Sequence, residues 1–421
     1  MSAEPDALAR PAVSAGVRYA LVVLAAVTLL NQLDRLVLSV VAEPLRLELG
    51  LSDTQLGLLS GLTFAVFFTF FGIPLARIAD TWRRPWLLGI CVTLWSAMTV
   101  LTGGVTSYTQ LLLLRIGLAI GEAGCQPATH TLIADYVPPA RRVSAFSIIT
   151  AGGSLGTMLS LLLGGLLLDA VGWRWTVAIV GLIGLPVAAL VGFTIPEPRM
   201  AAGFPERQPL APFRDVLRWA IGNRPYLTLV AAAVFCLAPT AAVSAWAPVY
   251  FMRIHHLSGA EVGLSIGIAS GLGNLVGVIG LGLLADRIAK GRPDRALLLA
   301  ATTMAICGPL YAAAFLATGA KAAAALYILP MCLHTTWFAP LFATIQTIAP
   351  PNMRAQAAAI ALFVNCLLGL GLGPTLTGVL SDALAPTLGT QSLGVALATL
   401  GACTLLGAAA LLMASLACRA R

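Results

Sequence analysis

Long apolar runs, most of twenty residues or more and separated by short Arg, Pro or Gly punctuation, repeat along the whole of this 421-residue chain. A run of that length matches a helix crossing a hydrocarbon layer about 30 Å thick. Twelve such spans are placed at about 19–42, 54–76, 86–105, 109–136, 143–168, 174–195, 226–251, 260–284, 295–317, 322–348, 355–380 and 390–416. Composition agrees, because 59% of residues are hydrophobic and only 10% charged, whereas soluble domains carry about 25% charged residues. The expected fold class is an all-α polytopic membrane protein with twelve transmembrane helices.

The net charge of +8 is informative through its position. Of the 25 Lys and Arg residues, nineteen fall in the N-terminus, alternate loops and the C-terminal tail. Four (Arg46, Arg174, Arg253 and Lys321) fall in the other loops, and Arg35 and Arg115 lie within spans. That asymmetry is the positive-inside pattern, placing both termini in the cytoplasm and arguing against nucleic-acid binding. The N-terminal residues 1–18 are polar and lead directly into a full span, unlike a signal peptide. Eight scattered cysteines, seven of them within spans, show neither CxxC nor metal spacing, so neither disulfides, metal nor cofactor is expected.

The chain also repeats itself. Pro138-Pro139-Ala140-Arg141-Arg142 leads through a Gly-rich span to Leu168-Asp169. Pro350-Pro351-Asn352-Met353-Arg354, 212 residues later, leads in the same way to Ser381-Asp382. Ala76-Arg77-Ile78-Ala79-Asp80 with Arg83-Arg84 matches Gly282-Leu283-Leu284-Ala285-Asp286-Arg287 at an offset of 206. Two matches at nearly one offset indicate two pseudo-symmetric six-helix halves, residues 19–195 and 226–421 with the tail. The 196–225 linker between them contains a short amphipathic helix around Phe213–Ile221, with Val216, Leu217 and Trp219 on its apolar side.

Asp34, Arg35, Arg115 and Glu122 are the ionisable residues that fall in the middle of apolar runs. Each costs about 2.5–3.5 kcal/mol at a helix centre, so the cluster costs on the order of ten unless paired. Asn31, Asp34 and Arg35 share a helix face at i, i+3 and i+4, and Arg115 and Glu122 lie two turns apart on another. Both faces are expected to meet at a central cavity. A buried carboxylate holds its proton in a dry site and releases it beside an arginine. Asp34 is therefore the expected principal proton site, Glu122 a second acid or substrate contact, and Arg35, Arg115 and Asn31 charge partners or headgroup contacts.

The loop after span two resembles the G-x-x-x-D-R-x-G-R-[RK] signature of the major facilitator superfamily, with Ala76 and Arg83 where glycines usually stand. Arg115 to Gly121 resembles the fourth-helix arginine motif of its proton-coupled members. Asn31-x-x-Asp34-Arg35, Gly121-Glu122-Ala123, Ile133-Ala134-Asp135 and Gly172-Trp173-Arg174 are similar to the spinster family. The resemblance implies a transporter with its Asp-Arg and Glu at these positions, in a bacterial inner membrane, moving lysophospholipids, sphingoid lipids or related amphiphiles. Asp80, Arg83, Arg84, Asp286 and Arg287 are expected to latch the cytoplasmic side by capping helix ends and pairing with loop arginines.

The C-terminal half has no buried charge by sequence. Its candidate cavity residues are Trp246, His334, Trp337, Phe338 and Asn365, with Asn274 and Gln346, giving a largely apolar wall opposite a charged one. Glycines 152, 153, 156, 164 and 165 in span five, and 369, 371, 373 and 378 in span eleven, are expected to pack helices closely. The resulting expectation is a monomeric proton-coupled secondary transporter using alternating access, with drugs or small organic anions as the alternative substrates. No catalytic constellation accompanies the four histidines, which argues against an enzyme.

Overall fold

A computed structural model of the chain describes residues 15–138, 141–198, 211–289 and 292–419. The expectations for residues 1–14, Pro139-Ala140, 199–210 and Lys290, and for the side chain of Asp286, lie outside the described residues. Among the described residues, ten helices are long and apolar enough to cross a bilayer. Two of them, Ser144–Thr194 with 51 residues and Arg354–Arg419 with 66, are too long for one crossing at about 1.5 Å per residue. Each turns back at a glycine with positive φ, Gly172 at 77° and Gly389 at 56°, a conformation costly for any residue with a Cβ. Dividing them there brings the count to twelve, in agreement with the sequence.

Local chemistry sets the ends of the spans. Ser52 and Gln55 form a reciprocal capping box at the start of the second span, and Ser258 and Glu261 do the same at the eighth. Asn223 accepts from the Tyr226 amide to start span seven, which has Pro225 in its first turn. The linker helix is present as Phe213–Gly222. Its bundle-facing side is Val216 and Ala220, while Phe213, Leu217 and Ile221 form an exposed apolar stripe at i, i+4 and i+8. Leu217 thus belongs to an exposed stripe facing away from the bundle.

The glycines of spans five and eleven do pack helices closely. A methyl group on Gly152 or Gly156 would meet the Ala25 and Leu29 carbonyls of span one, and one on Gly165 would collide with Gly259 of span eight. In the other half, Gly373 abuts Ala238 of span seven and Gly378 abuts Asp53 of span two. Spans five and eleven therefore make corresponding contacts, each within its own half and across to the other.

Candidate functional site

A cavity of about 1040 Å³ lies between the halves, at the upper end of the range of about 300–1,000 Å³ usual for small-ligand sites. The first half lines it with Gln32, Arg35, Ser39, Ser60, Phe64, Arg115, Thr150 and Thr157. The second half contributes Thr240, Ser244, Asn274, His334, Thr335, Thr336, Trp337, Phe338, Thr344 and Thr347. The second half's wall is largely apolar, with hydroxyl side chains interspersed along it. Toward one end the cavity reaches Ala285, Arg292 and Pro293, at the loop joining spans eight and nine.

The four membrane charges are brought together, with half of the expected pairing made. Arg35 donates from Nε (2.9 Å) and Nη2 to one oxygen of Glu122. Its guanidinium lies 4.9 Å from the centre of the Phe64 ring and 5.4 Å from that of Phe68. Arg115 covers the same Phe64 ring at 5.0 Å and donates 3.2 Å to the Leu59 carbonyl. Among the described residues it makes no ion pair. Phe64 thus lies against two guanidiniums, a geometry in which the ring quadrupole offsets part of their burial.

Asp34 is 1% exposed and does not line the main cavity. It sits behind Arg115 in a small pocket with Thr99, Leu114, Leu118 and Val177. The reason is angular. Positions 34 and 35 differ by about 100° around a helix, so when Arg35 enters the cavity Asp34 turns into its own half. Among the described residues, both Asp34 oxygens, Glu122 Oε1 and Asn31 Nδ2 are buried with no partner within hydrogen-bond distance. The Thr99 hydroxyl, which donates to the Trp95 carbonyl at 3.0 Å, and the Trp95 indole N–H, itself buried without a partner, are the donors that approach Asp34.

Other expected cavity residues divide. His334, Trp337 and Phe338 line it. Trp246 does not: it is 2% exposed, and its indole N–H donates 3.0 Å to the Pro374 carbonyl, packing spans seven and eleven together. Asn365 is also buried outside the lining, and Gln346 is exposed away from it.

Of the expected latch, Asp80, Arg83 and Arg287 are exposed, but Arg84 is fully buried. Arg84 pairs with Asp135 at 2.7 Å and with Glu197, which also accepts from its backbone amide at 2.8 Å. Those partners end spans four and six of the same half, so Arg84 ties one half internally and is not part of a latch between halves.

A strong set of contacts between the halves lies at the opposite end, and the sequence reading missed it. Arg253, ending span seven, pairs with Asp53 at 2.7 Å and Glu43 at 2.6 Å; Arg46 also reaches Glu43, at 2.9 Å. Asp382, ending span eleven, accepts from the amides of Asp53 (3.1 Å) and Thr54 (2.7 Å) at the start of span two. Asp169, ending span five, accepts from Gly259 (2.9 Å) and Ala260 (2.8 Å) at the start of span eight. The two caps are reciprocal across the halves, each placing a carboxylate on the positive end of a helix. The visible signal was the repeat itself, whose two copies end at these two aspartates.

This closure makes a prediction. Arg253→Gln should raise amide exchange at Asp53–Thr54 and Gly259–Ala260 together by about tenfold or more, as hydrogen bonds to charged groups are lost. Unchanged exchange at the second pair would show that the caps open independently.

Residues 24–374 match the model of the Major Facilitator Superfamily. The chain belongs to the major facilitator superfamily. It is 36% identical over 399 residues to an MFS-type efflux pump of Mycolicibacterium smegmatis, covering 93% of this chain and 91% of the relative. It is 25% identical to the sphingosine-1-phosphate transporter SPNS2 of Danio rerio, over 86% of this chain and 76% of that one. Among solved structures, it is similar to a bacterial homologue of the human lysosomal transporter Spinster in an inward-facing, unoccupied conformation. The TM-score is 0.78 with 28% identity, covering 97% of this chain and 98% of that one. The spinster-like resemblance read from the sequence agrees with these relatives. This superfamily member is a multi-pass membrane transporter and not an enzyme.

Proposed function

We propose that this chain is a proton-coupled secondary transporter that moves lysophospholipids, sphingoid lipids or similar amphiphiles by alternating access, those with an anionic group such as a phosphate fitting the two arginines best. The observation that carries the reading is the Arg35–Glu122 pair at the cavity wall with Asp34 behind it, its carboxyl oxygens unpartnered. An ionised carboxylate buried among apolar side chains costs several kcal/mol unless a cation or donors reach it, so the charge of Asp34 depends on which groups approach it. Rocking the halves would move Arg115 or water toward Asp34, favouring its ionised form and releasing the proton. Arginine stays charged throughout, so Arg35 and Arg115 act as fixed positive partners for Glu122 or for a substrate anion.

The distribution of Lys and Arg supports a bacterial inner-membrane protein with both termini cytoplasmic. In that orientation the cavity opens inward, and the Glu43–Asp53–Arg253 cluster closes the outer side. The SPNS2 relative supports a lipid substrate, as do the size of the cavity and its aromatic and aliphatic lining. A second reading is export of drugs or uptake of small organic acids, and the likeness to the mycobacterial efflux pump favours its export form.

Proteoliposomes with an imposed pH gradient separate the two. The lipid reading expects gradient-driven transfer of a fluorescent lysophospholipid, inhibited by unlabelled lysophospholipid and not by short carboxylates or cationic dyes. Inhibition in the reverse order would support the second reading and reject the first.

A further inference from the structure

Span ten is interrupted beside the cavity. Helix Ala320–Leu333 stops, His334 to Trp337 form turns, and helix resumes at Phe338–Ile348. Span four is interrupted too, at Gly124 between Tyr108–Ala123 and Cys125–Tyr136. His334 follows Gly124 by 210 residues, within the offsets of 206 and 212 that relate the two halves. The interruptions therefore occupy corresponding places, but they differ in surroundings: Gly124 packs against Cys91 and Leu75, whereas the break in span ten lies on the cavity wall. Irregular backbone at membrane depth persists where it lines a cavity, so the span-ten break is the one placed to meet substrate.

The chemistry at the second interruption differs from that at the first. His334 Nδ1 lies 3.0 Å from the Met331 carbonyl oxygen. A carbonyl only accepts, so Nδ1 carries the hydrogen, and the neutral ring keeps Nε2 as an acceptor on a cavity-lining residue. Thr335 Oγ1 and Asn274 Oδ1 are buried without partners, and both residues line the cavity. Span eight passes close by: a methyl group on Gly277, one turn after Asn274, would lie 3.1 Å from Thr335 Oγ1. Among the described residues, Asn274 and Thr335 of the cavity wall thus each hold a buried acceptor with no protein partner, beside His334, and the other half lines the same cavity with two cations.

We infer that Asn274, His334 and Thr335 form a subsite for a hydroxyl group on the substrate, whose anionic group is held by Arg35 and Arg115. The inference rests on the anionic-amphiphile reading and narrows it to anions bearing a free hydroxyl. Neutral acceptors without a carboxylate suit a hydroxyl better than an ammonium, which needs an opposite charge when desolvated.

The test measures binding to the purified full-length protein of two probes that differ by one hydroxyl, 1-lauroyl-glycerol 3-phosphate and its 2-deoxy counterpart. The native protein is expected to prefer the hydroxylated probe by about tenfold or more, because the deoxy probe leaves buried acceptors unpaired. Thr335→Val and His334→Phe should each cut that preference to within about threefold, with the thermal unfolding midpoint of each variant showing that it is folded. Arg115→Gln should weaken both probes alike. Equal affinity for the two probes in the native protein, or a preference that survives both wall variants, would overturn the subsite. Failure of the native protein to bind either probe would instead reject the anionic-amphiphile reading, and the subsite with it.

Discussion

Asp34→Asn is expected to leave substrate binding within about threefold of the native value and to abolish accumulation driven by a pH gradient. The first half follows from position, because Asp34 does not line the main cavity and the substitution keeps nearly the same shape. The second follows from chemistry, because an amide cannot exchange a proton. A pH difference of one unit supports about tenfold accumulation for each proton coupled, since about 1.4 kcal/mol corresponds to a factor of ten. The native protein should approach that ratio per pH unit and proton; the variant should equilibrate substrate to a ratio of one. Transfer assays in liposomes at several imposed gradients read the difference directly. A variant that binds poorly but still accumulates substrate would place Asp34 in recognition instead of coupling.

Arg84→Ala is expected to destabilise the protein by about 3–5 kcal/mol, the usual cost of removing one partner from a buried ion pair. Here two carboxylates, Asp135 and Glu197, are left behind by a side chain that is 0% exposed. Arg83→Ala, one residue earlier and exposed, should change stability by no more than about 0.5 kcal/mol. Thermal unfolding of the two variants in one detergent measures the contrast. Equal small losses would restore Arg84 to the loop role that its sequence context implies.

The pair Arg83-Arg84 shows why part of the molecule was legible and part was not. In the sequence both are basic residues in a loop; only the ends of spans four and six, brought together by folding, supply the partners that separate them. The fold itself was readable because apolar runs of membrane length allow one kind of secondary structure. Arg35 and Glu122 were readable because a charge within such a run carries a cost that needs a partner. Glu43, Asp53 and Arg253 sit at span edges, where charge costs little, so nothing marked them as an inter-half cluster. His334 and the threonines around it are neutral, and a hydroxyl can satisfy itself on its own helix, so their gathering on one wall left little trace. The direction of Asp34 depended on which of two adjacent residues claimed the cavity, which spacing alone leaves open.

The central claim is that a proton moves with each substrate through the Asp34 site. The most direct measurement is internal pH in dye-loaded proteoliposomes, with no gradient imposed, when 1-lauroyl-glycerol 3-phosphate is added outside. A substrate-dependent pH change in the native protein that vanishes in Asp34→Asn is the predicted result. Substrate transfer of the same rate with no pH change in the native protein, or an undiminished change in the variant, would contradict it.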